Sequence, residues 1–234
     1  MNIALIGATG NVGTRLISEL RRRGHQVTAI ARHPEKLDRQ DGVNPAVGDV
    51  QNENALAAVL AGHDVAIHSV KFLSTDPAKV IAATKAAKVP RLLVVGGAGS
   101  LEVAPGLTLV NSPDFPPEYK PETLAGVKFL DVLRQEEELD WTFLSPSYLF
   151  APGERTGKFR LGKDELLVGA DGQSRISTED FAIALVDELE RPKHSCERFT
   201  VGYRRQNCPR SERRSKKPIA DHEPYANERG RYCF

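Results

Sequence analysis

The sequence predicts an α/β fold, a doubly wound parallel sheet with helices on both faces, and three observations predict it. Apolar runs of strand length alternate with helical patterns through six repeats. One run, RLLVVGG (91–97), is almost continuously apolar, as expected of a strand buried on both faces. The chain also begins with ALIGATGNVGTRL (4–16), in which Gly7, Gly10 and Gly13 join a strand to a helix. Parallel neighbours need right-handed crossovers, so this alternation stacks helices above and below one sheet.

NIALIG (2–7) reads as the first strand, and the helix after it, 11–23, carries Val12, Leu16, Ile17 and Leu20 on one face. QVTAIA (26–31) and the short NPAVGDV (44–50) are the next strands. ALAAVLAG (55–62) is helical and stops at Gly62. DVAIHSV (64–70) is the fourth strand, and the helix over 76–89 opens on Asp76 with Pro77 in its first turn. The fifth strand (91–97) leads into a loop rich in Pro and Gly, then a helix over 121–138 and a sixth strand, DWTFLS (140–145).

From 146 to 177 the rhythm changes: a turn at 170–172 separates ELLV from SRIS, which predicts a small hairpin-bearing subregion over the ligand side. A helix over 177–192, capped by Ser177 or Thr178, and a last strand, RFTVGY (198–203), complete a single domain over 1–203.

Of 234 residues, 40% are hydrophobic and 27% charged, enough for one well-cored domain. No apolar run is long enough to span a membrane, and the N-terminus enters a strand without a basic leader. The three cysteines, Cys196, Cys208 and Cys233, form no C-x-x-C pair, so no disulfide framework is expected and a cytoplasmic location is. The six histidines show no metal-binding spacing. The net charge of +1 conceals an asymmetry, because nine of the 32 basic residues but only four of the 31 acidic ones follow Tyr203. That basic tail, 204–234, lacks apolar periodicity and is expected to be disordered. It is either a basic arm or an extension with no role of its own, such as a shifted reading frame would produce. The latter is favoured, and no nucleic-acid partner is expected.

The glycine-rich turn has the strand-turn-helix context of a dinucleotide site. Gly7 lets the chain leave the strand sharply, Gly10 lets backbone amides approach a pyrophosphate, and Gly13 lets the helix pack close to the sheet. The anion then meets free N–H groups and the positive end of the helix, so Thr9, Asn11 and Val12 join the candidate cofactor site.

GATGNVG resembles the nucleotide-binding turn of the atypical short-chain dehydrogenase/reductases. More narrowly, the chain resembles the NAD(P)H-binding, NmrA-like group that includes biliverdin reductase B and bacterial NADH-flavin reductases. The resemblance covers 1–203 and rests also on ARHPEK, GDV, LLVVGGAGS, DWTFLSPSYLFAPGERTG and ISTEDFAIALVDELE. It implies a Rossmann fold and a nicotinamide cofactor. The second strand ends without the acid that would hold an adenosine ribose, and Arg32 stands there instead, so NADP(H) is expected over NAD(H). A solvated surface arginine is the alternative.

By the resemblance Asp49 meets the adenine with Val50 alongside, although an Asp after a strand can simply cap a helix. By the strand-end rule Ser69, Val70, Gly96 and Gly97 border the ribose and nicotinamide, and by resemblance Ser145 and Pro146 lie near the nicotinamide.

The family's dehydrogenase branch uses Tyr with Lys four residues later. Here Tyr119 is followed at that spacing by Thr123, and Lys120 and Lys128 are out of register. Ser100 and Tyr119 remain as candidate catalytic residues, each with a plain loop or surface reading beside it. Arg155, Lys158 and Arg160 could attract an anionic acceptor or form a solvated loop. Hydride transfer to a planar acceptor needs little acid/base help. The first reading is therefore an NADPH-dependent reductase of a flavin (FMN or FAD), a quinone or a similar small molecule. The alternatives are a non-catalytic NADP(H) sensor and, disfavoured by the missing Tyr–Lys pair, a nucleotide-sugar epimerase or dehydratase. An exposed helix pair could make a homodimer.

Overall fold

The computed structural model describes residues 1–38 and 40–203. The basic tail, with its expected disorder, lies outside the described residues.

The strands that build the nucleotide side come first. β1 (Asn2–Ile6) leads through the glycine turn to α1 (Asn11–Arg22), then β2 (Gln26–Ala31), β3 (Val43–Val47), α2 (Glu53–Leu60), β4 (Val65–His68) and α3 (Pro77–Ala86). Beyond these lie β5 (Arg91–Val95), β6 (Glu102–Ala104), β7 (Leu107–Thr108), α4 (Lys120–Leu133), β8 (Asp140–Ser145), β9 (Leu149–Ala151), β10 (Arg160–Gly162), β11 (Arg175–Ser177), α5 (Thr178–Glu190) and β12 (Glu197–Gly202). The main sheet has the order β10-β12-β8-β5-β4-β1-β2-β3. Its pairs are parallel except β10 with β12, which closes one edge antiparallel. The order reverses between β1 and β4, and such a switch point opens a crevice beyond the carboxyl ends of the strands.

Two hydrophobic layers hold the sheet. On one face Ile3, Leu5, Val27, Ala29 and Ile67 pack with Leu16 and Leu20 of α1 and Phe181 and Leu185 of α5. On the other, Ala4, Ile6, Ile30, Leu92, Val94 and Phe143 pack with Leu56 of α2, Val80 of α3 and Phe129 of α4. β5 is buried at every residue, as its apolar run predicts. β3 tolerates Pro45 because it is an edge strand, where no second ladder needs the missing N–H. Helix caps follow the sequence: Asp76 accepts from Ala78 N at 3.0 Å and Ser177 from Asp180 N at 3.0 Å. Ser177, not Thr178, is therefore the cap of α5.

The subregion at 146–177 differs from expectation. The turn is present, with Gly169 N donating to Gln173 O at 2.7 Å. ELLV and SRIS, however, do not pair as a hairpin. β11 pairs in parallel with β9, while Leu166 N donates to Glu102 O. The turn's local chemistry survives, but the partners on either side are chosen by tertiary packing. Buried Asp180 fastens the same subregion to α5, accepting from the N–H groups of Thr156 and Gly157 at 2.8 Å each.

Candidate functional site

Two adjoining cavities open beyond the carboxyl ends of the central strands. One, of about 540 Å³, lies over β1, β2 and β3 and is lined by Gly7, Thr9, Gly10, Ala31, Arg32, Asp49, Val50, Gln51, Ser69, Val70 and Lys71, among others. The second, of about 560 Å³, lies over β4 and β5 and under the start of α4. Its lining includes Gly10, Asn11, Val12, Ser69, Val70, Lys71, Phe72, Leu73, Gly96, Glu118, Tyr119, Glu122 and Phe150. Gly10, Ser69, Val70, Lys71 and Ser74 belong to both and form the waist between them.

The three glycines answer to different constraints. Gly7 has φ +87°, and a Cβ there would lie 2.2 Å from Ser69 O. A Cβ on Gly13 would lie 2.3 Å from Gly7 O, so this glycine lets α1 sit against the turn. Gly10 has an ordinary extended backbone (φ −74°, ψ 168°), and a Cβ would meet only Gly7 O at 3.3 Å and Ser69 O at 3.9 Å. Packing within the protein thus explains Gly7 and Gly13 fully and Gly10 only slightly. Gly10 lines both cavities, at the waist between them. α1 begins there with no side-chain cap and no acidic residue in its first turn, which leaves its positive end for an anion.

Over the first cavity, Arg32 is exposed and has no side-chain partner among the described residues. Asp49 is also exposed at the rim, its Oδ1 accepting from Gln51 N at 3.0 Å. The cap of α2 is Asn52, not Asp49, since Asn52 accepts from Ala55 N at 3.1 Å. Gln51 closes the far wall by donating from Nε2 to Ser74 O at 2.7 Å.

The second cavity is walled by a short 3-10 turn, Phe72–Ser74, which strand-end reasoning does not reach. Glu122, in the first turn of α4, accepts from Phe72 N at 2.6 Å and from Leu73 N at 3.0 Å, so one carboxylate holds two consecutive amides. Phe72 packs on Phe129 with ring centroids 5.5 Å apart, and a Cβ on Gly126 would come within 2.9 Å of its ring. Beneath lies His68, fully buried and 5.0 Å from the Phe129 ring. Burial without a charged partner pushes His68 down to about 3, so it is a neutral packing group at ordinary pH.

Five of the sequence-derived site residues do not line either cavity. Gly13 is a packing residue, and Gly97 faces Phe72, whose Cε2 would lie 3.7 Å from an added Cβ. Ser100 lies off the cavities, its hydroxyl accepting from Arg198 Nη1 at 3.3 Å. Ser145 and Pro146 are buried, because the chain after β8 is drawn onto β12: Thr200 Oγ1 donates to Ser145 O at 2.9 Å and Ser147 Oγ to Val201 O at 2.9 Å. The basic loop is also structural in part. Arg155 makes a two-pronged ion pair with buried Glu19 at 2.9 Å, and Arg160 donates to Val168 O. The residues that sequence reasoning missed are Gln51, Lys71, Phe72, Leu73, Ser74, Glu118, Glu122 and Phe150. For four of them, Lys71, Phe72, Leu73 and Ser74, the sequence signal is the segment KFLST (71–75) between a strand end and the Asp76 cap.

A reversed strand order, a glycine-rich strand-to-helix turn and a two-chambered crevice at the switch point define a dinucleotide-binding Rossmann protein. The NAD(P)H-binding family model matches residues 7–192, and the chain belongs to that family. It is 41% identical over 211 residues to the uncharacterized Bacillus subtilis protein YwnB, covering 86% of this chain and 98% of that one. The crystal structure of a "putative epimerase" from Bacteroides thetaiotaomicron is similar at 42% identity and a TM-score of 0.83, over 88% of this chain and 99% of that chain. A "putative NADH-flavin reductase" from Streptococcus pneumoniae is similar at 34% identity and a TM-score of 0.72, over 87% of this chain and 99% of that chain. No helix among the described residues is long and apolar enough to cross a membrane.

Proposed function

We propose that the protein is an NADPH-dependent oxidoreductase that delivers hydride to a planar acceptor, a flavin or a quinone. The observation that carries this reading is the pairing of two unlike chambers across one waist. The first offers Arg32 without an acid at the end of β2, which suits a 2′-phosphate. The second offers Phe72, Leu73, Tyr119 and Phe150 as apolar and aromatic walls. A bound NADPH would supply the hydride; with one proton from water, the acceptor is reduced by two electrons and NADP⁺ is left.

The protein's part is to hold donor and acceptor in contact and to exclude bulk water. Gly96 lines the acceptor chamber and packs directly on the core below it, since a Cβ there would strike the Phe143 ring at 2.3 Å. Tyr119 stands at the entrance of α4, where its hydroxyl can orient a carbonyl of the acceptor. Epimerase chemistry is disfavoured, because Thr123, four residues past Tyr119, is a buried threonine and not the lysine such an acid/base needs.

The test is calorimetric titration with NADPH and NADH, then oxidation of the bound nicotinamide on adding FMN or a quinone. Tight NADPH binding with turnover supports the reductase. Binding without turnover over a broad acceptor panel favours the sensor, which the absence of a Tyr–Lys pair also allows.

A further inference from the structure

At the waist, one wall is the start of α1 at Gly10 and the other is the segment from Ser69 to Lys71 with Ser74. If adenosine occupies one chamber and nicotinamide the other, the diphosphate that joins them must cross this waist. The α1 wall offers dipoles but no full charge there, because its first turn (Asn11, Val12, Gly13, Thr14) carries no charged side chain. The opposite wall carries one full positive charge, Lys71, which is exposed and has no ion-pair partner among the described residues.

Its backbone, by contrast, is fixed. Lys71 O accepts from Ser74 N at 3.1 Å and from Thr75 Oγ1 at 2.9 Å. The next two amides are gripped by Glu122, and Phe72 is wedged against Phe129 and Gly126. An ammonium on an anchored backbone, across the waist from a helix N-terminus, suits a two-sided anion clamp.

We infer that Lys71 is the cationic partner of the dinucleotide's diphosphate and that Glu122, by clamping the turn after it, is its positioning residue. The inference rests on the dinucleotide reading above and assigns a part of the site that this reading leaves open. It also separates two cations by task. Arg32 meets the group that distinguishes NADPH from NADH, whereas Lys71 meets the group they share.

The experiment is calorimetric titration of wild type, K71M, K71R, E122Q and the K71M/E122Q double variant with NADPH and with NADH. K71M should weaken both dinucleotides by the same factor, about tenfold, and leave their ratio unchanged. K71R should restore most of the loss. E122Q should weaken both by about threefold in the wild-type background and by nothing further in the K71M background, as expected of a residue acting through Lys71. Thermal melts of every variant check that the fold is intact.

Equal binding by K71M and wild type, or a loss confined to NADPH, would overturn the assignment of Lys71. A full additional loss from E122Q in the K71M background would overturn the positioning role of Glu122. Failure of the wild type to bind either dinucleotide is a different result, and the proposed function would fall with it.

Discussion

The chamber over β1–β3 is lined by backbone, small side chains and a polar rim of Arg32, Asp49 and Gln51, whereas the chamber over β4 and β5 is walled by Phe72, Leu73, Tyr119 and Phe150. The first is built almost entirely from strand ends and the turns just after them. The second borrows its walls from more distant parts of the chain: the 72–74 turn, the start of α4 and β9. On the proposed function, the difference matches the task of each. A dinucleotide's adenosine and phosphates are invariant and suit a fixed cradle. An acceptor varies from protein to protein and suits walls that can be exchanged without disturbing the sheet.

The two halves can be broken separately. The largest effect is expected at the waist that both share. Gly10→Asp puts a carboxylate against the incoming diphosphate and should weaken NADPH and NADH alike by about 100-fold. The protein should stay folded, because the Gly10 backbone is one that any residue adopts; calorimetry and circular dichroism check both points. Next comes the first chamber alone. Arg32→Glu should move the NADPH/NADH affinity ratio by about 30-fold toward NADH. An unchanged ratio would mean that the second strand has been misread.

The second chamber alone is addressed by Tyr119→Phe. Loss of the hydroxyl should lower kcat/KM for the acceptor by about fivefold and leave the dissociation constant of NADPH within about twofold. The last effect is on stability rather than binding and concerns the packing beneath that chamber. His68 is held below its unfolded value, so the unfolded chain binds the extra proton. Stability from this site is therefore complete above pH 6.5 and declines as pH falls from there toward about 3. The decline should be about 1 kcal/mol per pH unit, and His68→Leu should flatten it between pH 6.5 and 4.5 in thermal melts. Below that range Glu188 adds a loss in the same direction. Burial pushes its carboxyl up, but hydrogen bonds from His194, the amides of Lys193 and His194, and Arg91 hold it below its ordinary value overall.

What could be read from the sequence follows the same division. Strand-to-helix turns are local, so Gly7, Gly13, the Asp76 cap and the buried run of β5 were legible, and with them the chamber over β1–β3. The hairpin expected between ELLV and SRIS was not formed, although its turn at 169–173 was, because pairing partners depend on what packs alongside. Ser145 and Pro146 line neither cavity for a related reason. Their place at and just after the end of β8 is local, but nothing local reveals that Thr200 and Ser147 stitch that strand end to β12. The walls of the second chamber had no periodic signal. Glu122 reaches Phe72 across 50 positions of sequence, a contact visible only once α4 has been packed against the turn.

The measurement that tests the central claim most directly is a single preparation titrated with NADPH and NADH and then given FMN or a quinone while nicotinamide absorbance is followed. The account predicts tighter binding of NADPH than of NADH, followed by oxidation of the bound nicotinamide at a rate that depends on the acceptor. Binding of neither dinucleotide, or NADPH binding with no oxidation by any planar acceptor, would contradict it.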